Sequence, residues 1–297
     1  MNNKANTANT PDTVVFIHGL YLTARSWELW EKRYADLGYN VINQSWPGLE
    51  VEVEELRRDP SPIAELTVPA ILDHYDHIIR ALPRPPIIIG HSFGGAFVQV
   101  LVGRGLGATA VVAASAPVRG VYDLPLTTLR SNWVLLRNPI LRHRAVALTP
   151  AQFHYGFTNT FSEDEAAKAY ERYATPGSRN LLLTGTNVNT NPFTPLKVDF
   201  KKRDRAPLLF IGGGQDHVLP ASMVHHNARK YRKSSAITDY VEFPGRAHFT
   251  AVQQDWEQVA DYALQWALNP LAEPRSDIAM PLEHVSASMR DQRKTAA

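Results

Sequence analysis

Ser92 lies between two glycines in the run Ile87-Ile88-Ile89-Gly90-His91-Ser92-Phe93-Gly94-Gly95-Ala96, directly after an apolar stretch of strand length. A serine at the apex of a sharp strand-to-helix turn holds a strained backbone, and the residues two positions to either side must lack a Cβ to avoid collision. Gly90 and Gly94 meet that demand. The residues that follow, Ala96 to Val102, read as a buried helix. Its unpaired N–H groups and positive dipole end point at the serine and favour an oxyanion there. A hydroxyl is a poor nucleophile until a base takes its proton and a third group orients that base. Asp216 closes a strand and glycine turn, Ile211-Gly212-Gly213-Gly214-Gln215-Asp216, and His248 follows the strand-like Val241-Glu242-Phe243 and a turn. All three side chains fall after strand C-terminal ends, which share one edge of a parallel sheet. His18-Gly19-Leu20 follows another such strand, so the backbone N–H of Leu20, with that of Phe93, would form a minimal oxyanion hole. Acyl transfer is the chemistry this set of groups can perform.

Each assignment has a plainer competitor. Ser92 could be a turn serine, and Asp216 could cap the helix at Ser222 or pair with Arg229. Asp123, after the strand-like Val111 to Ala114, is a rival acid. His18 reads as a holder of the oxyanion loop and His91 as a residue packed beside the turn. His74 and His77 are three apart on one helix without further ligands, and His225-His226 point in different directions, so no metal site is expected. Gly212-Gly213-Gly214 lacks the Lys-Ser/Thr ending of a phosphate loop.

The elements that must position these groups alternate along the chain. Strand-length apolar runs occur at Val14–Ile17, Tyr39–Ile42, Pro86–Ile89, Ala110–Ala114, Leu208–Ile211 and Tyr240–Phe243. Helical patterns cover Ser26–Leu37, Pro69–Leu82, Phe93–Val102, Ser222–Lys230 and Asp255–Leu268. Continuous apolar strands between helices mean an α/β protein, with a mostly parallel sheet of about six strands and helices on both faces. From about Pro117 to Ala206 the pattern breaks and aromatic residues accumulate. A structureless loop of that length is implausible, so a helical cap is expected, with helices near 127–136, 149–158 and 162–174. The organisation expected is a flexible N-terminus over 1–12, a core over 13–117 and 206–268, a cap over 118–205, and a surface-draped or poorly ordered extension over 269–297.

The combination of His18-Gly19, Gly90-His91-Ser92-Phe93-Gly94-Gly95, the Gly213 to Pro220 run with its Gly-x-x-Asp-x-Val-x-Pro pattern, and His248, in the order Ser, Asp, His, resembles the α/β-hydrolase superfamily. The resemblance spans nearly the whole sheet region and implies that the 117–206 segment is a cap that shapes the substrate pocket. There are two departures. Thirteen residues precede Val14, too few for the antiparallel hairpin that many relatives carry first, so that hairpin is expected to be missing. Where many relatives have Asp-x-x-Gly-x-Gly, this chain has Gln44-Ser45-Trp46-Pro47-Gly48-Leu49, which makes Trp46 a candidate pocket wall. The other candidate substrate contacts are His18, Tyr21, His91, Trp133, Phe153 and Phe157.

The implied activity is that of a serine hydrolase cleaving a small or medium, largely apolar ester or lactone through an acyl-enzyme on Ser92, with no metal or organic cofactor. Relatives use the same triad for carbon–carbon bond hydrolysis, perhydrolysis and cyanohydrin cleavage, and a hydrolase-fold small-molecule receptor with little turnover is the alternative from another class. Serine in place of aspartate at the turn argues against dehalogenase and epoxide-hydrolase chemistry. The 297-residue chain has 31 basic and 29 acidic residues and no cysteine. That balance offers no field for nucleic acid or acidic lipid, and the missing thiols exclude disulfides and a cysteine nucleophile. Without a signal-like or membrane-spanning run, a soluble cytoplasmic protein acting on a small molecule is expected.

Overall fold

The computed structural model describes residues 11–123, 126–127, 130, 144–272, 277 and 279–286. In chain order the elements are β1 (Thr13–Ile17), α1 (Glu28–Asp36), β2 (Asn40–Asn43), α2 (Val53–Arg58), α3 (Ser61–Ala64), α4 (Val68–Arg80), β3 (Ile87–His91), α5 (Phe93–Gly103) and β4 (Thr109–Ala113). The cap region supplies β5 (Ala145–Val146), α6 (Pro150–Phe157), α7 (Glu163–Tyr173), β6 (Gly177–Ser178) and α8 (Arg179–Thr186). The chain then returns through β7 (Leu208–Gly213), α9 (Ala221–Arg229), β8 (Thr238–Phe243) and α10 (Trp256–Leu268) to β9 (Glu283–His284).

Seven strands form the main sheet in the order β2-β1-β3-β4-β7-β8-β9. The first six of these are mutually parallel, and β9 adds antiparallel to β8. The strands of the middle, β1, β3, β4 and β7, are buried along their whole length, which is why they read as unbroken apolar runs. Strand alternation separates two helical layers. Phe16 sends its ring to Trp27, Trp30 and Tyr34 on the α1 side. There Arg33 pairs with Asp261 of α10, and the Tyr34 hydroxyl donates to the Ala260 carbonyl at 2.7 Å. α5 is almost entirely buried and packs with α4 against β1, β3 and β4.

The sheet therefore holds the six parallel strands read from the sequence, with a seventh from the C-terminal extension. Far from merely draping, residues 280–286 bond along β8: the Met280 N–H donates to the Glu242 carbonyl at 2.7 Å and the Val285 N–H to that of Thr238 at 2.9 Å. In the cap, α6 and α7 start with capping boxes at Thr149-x-x-Gln152 and Ser162-x-x-Glu165, the signature that marks helix starts in sequence. The helix expected over 127–136 falls largely outside the described residues. The β5–β6 ribbon and α8 were not among the expected elements.

Candidate active site

β3 delivers Ser92 to the C-terminal edge of the sheet, and α5 begins at the next residue. Ser92 has φ 56° and ψ −119°, a sparsely populated conformation for a residue with a side chain. The surrounding backbone enforces it. The Ser92 N–H donates to the Ala113 carbonyl at 3.1 Å, and its carbonyl accepts from Gly95, Ala96 and Ala116. A Cβ on Gly90 would lie 2.5 Å from the Gly94 oxygen, and one on Gly94 would lie 2.1 Å from the Ile17 oxygen. The glycine spacing thus serves backbone packing on both sides of the serine.

His248 follows β8 and is fully buried. Its Nδ1–H donates to Asp216 Oδ2 at 2.8 Å. The other carboxylate oxygen of Asp216 accepts the N–H groups of Val218 and Leu219 at 2.7 and 2.8 Å. That carboxylate is therefore fixed in orientation, and by accepting the Nδ1–H it sets the tautomer in which His248 Nε2 carries the lone pair. Nε2 is buried and makes no hydrogen bond, so the Ser92–His248 contact is not closed in this structure. The rival acid, Asp123, instead pairs with His226 of α9. His248 is steadied from two further directions: His91 Nε2–H donates to the His248 carbonyl at 2.8 Å, and the Phe157 ring stands edge-on to the imidazole, centroids 4.9 Å apart.

Opposite Ser92 runs the loop after β1. A Cβ on Gly19 would meet the Ser92 Cβ at 2.8 Å, so glycine lets the Leu20 backbone approach the serine. His18 holds this loop. Its Nδ1–H donates to the Gly19 carbonyl at 2.9 Å, and its Nε2 accepts the Trp46 N–H at 3.2 Å. Trp46 stacks on His18 at 4.3 Å and meets Phe97 edge-on. It supports the loop from behind and is not among the residues lining the cavities at Ser92. The Phe93 N–H, first of α5, has no acceptor within its own helix.

Burial holds His18 neutral, with its pKa lowered to about 4, and holds His91 well below the ordinary imidazole value through burial and the neighbouring His248. An unfolded chain protonates both near pH 6.5. Their neutral forms therefore contribute fully above about pH 6.5, and that stability is lost as the pH falls toward 4, on the order of 3 kcal/mol for His18 alone. Urea midpoints should fall between pH 7.5 and 4.5, and His18→Gln should flatten the decline. A midpoint independent of pH over that range would refute the neutral assignment.

Two cavities meet at Ser92. The smaller, about 30 Å³, is lined by Leu20, Tyr21, Phe93, Leu148, Gln152 and Phe157 among others. The larger, about 350 Å³, is lined chiefly by apolar side chains, including Val121, Leu182, Val188, Val218 and Met223. Of the expected substrate contacts, Tyr21 and Phe157 line the smaller cavity. Phe153 stacks under Phe157 at 4.7 Å and is buried away from both cavities. His18 and His91 sit behind the site, and Trp133 lies outside the described residues. Leu182, Val188, Val218 and Met223 were missed. For the first two the sequence holds no clear signal, because α8 runs into a Thr-Gly-Asn-rich stretch that reads as loop. Val218 could have been found, since it follows Asp216 by two residues.

No curated protein matches this chain by sequence. Solved structures with a similar fold include tomato methylketone synthase I complexed with 2-tridecanone, 14% identical with a TM-score of 0.64, covering 86% of this chain and 98% of that one. A pyrethroid hydrolase from Sphingobium faniae JZ-2 is 15% identical with a TM-score of 0.62, covering 88% and 99%. An extracellular alpha/beta-hydrolase from a Paenibacillus species is 21% identical with a TM-score of 0.61, covering 87% and 100%. Identities this low establish likeness of fold. A family model extends the match to sequence, from residue 14 to residue 262, a span that holds the glycine-flanked serine, Asp216, His248 and all six parallel strands. By that match the chain belongs to the alpha/beta hydrolase family.

Proposed function

We propose that this protein is a serine hydrolase that cleaves a small to medium, largely apolar carboxylic ester or lactone through an acyl-enzyme on Ser92. The observation that carries this reading is the buried Asp216–His248 pair, which leaves His248 Nε2 without a hydrogen-bond partner, in a chain whose Ser92 sits on a strained turn. Ser92 Oγ gives its proton to His248 Nε2 and attacks the ester carbonyl. The oxygen that becomes negative is held by the N–H groups of Leu20 and Phe93. Asp216 stabilises the imidazolium without taking its proton. His248 then passes that proton to the departing alcohol oxygen, and the acyl group stays on Ser92. Water repeats the sequence: it loses a proton to His248 and attacks the acyl carbon, and as the acyl–Oγ bond breaks His248 returns that proton to Ser92 Oγ and the acid leaves.

The apolar lining of the 350 Å³ cavity supports a substrate bound mainly by burial of hydrocarbon. The pyrethroid hydrolase of similar fold is in keeping with that chemistry. A fluorophosphonate probe tests the reading directly. Covalent labelling at Ser92, found by peptide mass spectrometry and abolished in His248→Ala, is expected. Folded protein that resists the probe would favour a receptor built on the hydrolase fold.

A further inference from the structure

β4 leaves the sheet through a second strained turn. Ala114 has φ 45°, a left-handed conformation that a residue with a Cβ seldom holds unaided. This turn and the one at Ser92 brace each other: the Ser92 N–H donates to the Ala113 carbonyl at 3.1 Å, and the Ala116 N–H donates back to the Ser92 carbonyl at 2.9 Å. Ala116 and Pro117 also line the 350 Å³ cavity beside Ser92. Whatever fixes residues 114–116 therefore fixes one side of the serine.

What fixes them is a run of buried polar side chains. α5 is apolar along most of its buried length, yet Gln99 sits between Val98 and Val100 at 1% exposure. A buried primary amide is costly unless both of its ends are bonded. Here both are. The Tyr231 hydroxyl donates to Gln99 Oε1 at 3.1 Å, Gln99 Nε2 donates to Ser115 Oγ at 2.9 Å, and Ser115 Oγ donates to the Ala116 carbonyl at 3.0 Å. Asn227 Nδ2 reaches the same carbonyl at 3.4 Å. α5 can come this close because residue 95 is glycine: a Cβ there would lie 2.8 Å from Ser115 Oγ. Tyr231 is anchored in turn, with the Arg205 guanidinium 4.7 Å from its ring centroid and Phe200 edge-on to it at 5.0 Å. Every donated proton in the run points toward Ala116, so each bond polarises the next. An amide suits position 99 because it accepts at one end and donates at the other; a hydrocarbon of the same length does neither.

We infer that Gln99 is a positioning residue for Ser92: through Ser115 and Ala116 it sets where the Ser92 main chain, and with it Oγ, stands against the groups proposed to act on it. Neither Gln99, Ser115 nor Tyr231 lines the cavities at Ser92, so the effect runs through the backbone. The inference rests on the serine-hydrolase reading for its kinetic consequence, but the holding of the turn is measurable without turnover. Gln99→Met keeps the length of the side chain and removes both of its bonds. It is expected to lower kcat on p-nitrophenyl butyrate by about 10- to 100-fold, the scale of a reacting group misplaced by about 1 Å, with KM changed by less than about threefold. Hydrogen–deuterium exchange should quicken in peptides covering 92–97 and 113–118. Val102→Ala is the control, buried on the same helix and outside the run. It should lower Tm and leave kcat and the exchange of both peptides unchanged. Tyr231→Phe should lower kcat less than Gln99→Met does, and should cost nothing further when the two are combined, because one run carries both effects.

A lower Tm in Gln99→Met with kcat and both peptides unchanged would overturn the inference and leave Gln99 a packing residue. A fall in kcat that Val102→Ala reproduces at equal loss of Tm would overturn it as well. Faster exchange confined to Gln99→Met, in a protein that turns over no ester and resists the fluorophosphonate, would sustain the positioning of the turn and overturn the hydrolase reading. Should Gln99→Met not fold, Tyr231→Phe carries the test, with the same signs and the same control.

Discussion

Replacing Ser92 with alanine is expected to lower kcat/KM on an activated ester such as p-nitrophenyl butyrate by about 10⁴-fold or more while leaving the fold intact. The size follows from what the substitution removes. In the proposed mechanism His248 and Asp216 act only through the serine oxygen, so without it they have no nucleophile to activate. What remains is the pair of N–H groups on Leu20 and Phe93 together with substrate binding, which can support only weak attack by water. The fold should survive because alanine keeps the Cβ, and because the unusual backbone at this position is held by a hydrogen bond to the Ala113 carbonyl and by others from the N–H groups of Gly95, Ala96 and Ala116. Far-UV circular dichroism and Tm establish the second half of the expectation, and steady-state kinetics the first. Retained turnover in folded Ser92→Ala protein would end the proposed mechanism.

Gly94→Ala should be severely disruptive. The added carbon would lie 2.1 Å from the Ile17 oxygen and 2.6 Å from the His18 oxygen. Both are main-chain atoms, so no rotamer change relieves the collision. Either α5 withdraws from β1 or the Gly19-Leu20 loop is pushed off, and the second outcome also misplaces the Leu20 N–H proposed to hold the oxyanion. A loss of about 3 kcal/mol or more is expected, at the upper end for an overpacked site. Gly103→Ala is the matched control. It lies at the other end of the same helix, where a Cβ would meet nothing within 4 Å, and the better helix propensity of alanine should leave stability equal or slightly higher. Urea denaturation of the two variants would separate them. Equal stability would mean that the close approach at Gly94 is misplaced.

What was legible in the sequence follows from where the physics is local. Buried parallel strands must be continuous apolar runs, so β1, β3, β4 and β7 declared themselves. Capping residues made the starts of α6 and α7 readable. The strained turn at Ser92 and the pairing of Asp216 with His248 were legible because each candidate has its own signal, the flanking glycines for one and strand-end positions for the others. The identity of the cavity walls was not readable in the same way. Leu182 and Val188 come from a short helix and its exit, and Met223 from the inner side of α9. They reach the serine only through the path of the cap, which no local pattern encodes. Trp46 illustrates the converse. Its position after β2 suggested a pocket wall, but it spends its ring on His18 and Phe97 and its N–H on His18 Nε2.

The antiparallel return of the last described residues has a consequence for how copies of this protein behave toward one another. A parallel sheet ends in a row of unpaired backbone donors and acceptors, a template on which a second chain can add. On the β2 side that row is four residues long and begins and ends with asparagine. On the β8 side it is six residues long and largely buried, the more adhesive of the two. Residues 280–286 occupy it: Ser286 Oγ accepts the Thr238 N–H at 3.0 Å and donates to the Ala236 carbonyl at 2.8 Å, and His284 Nδ1 lies 3.0 Å from Asp239 Oδ1. The tail thus moves the border on that side from the six-residue β8 to the two-residue β9, which leaves a neighbour's strand a much shorter template.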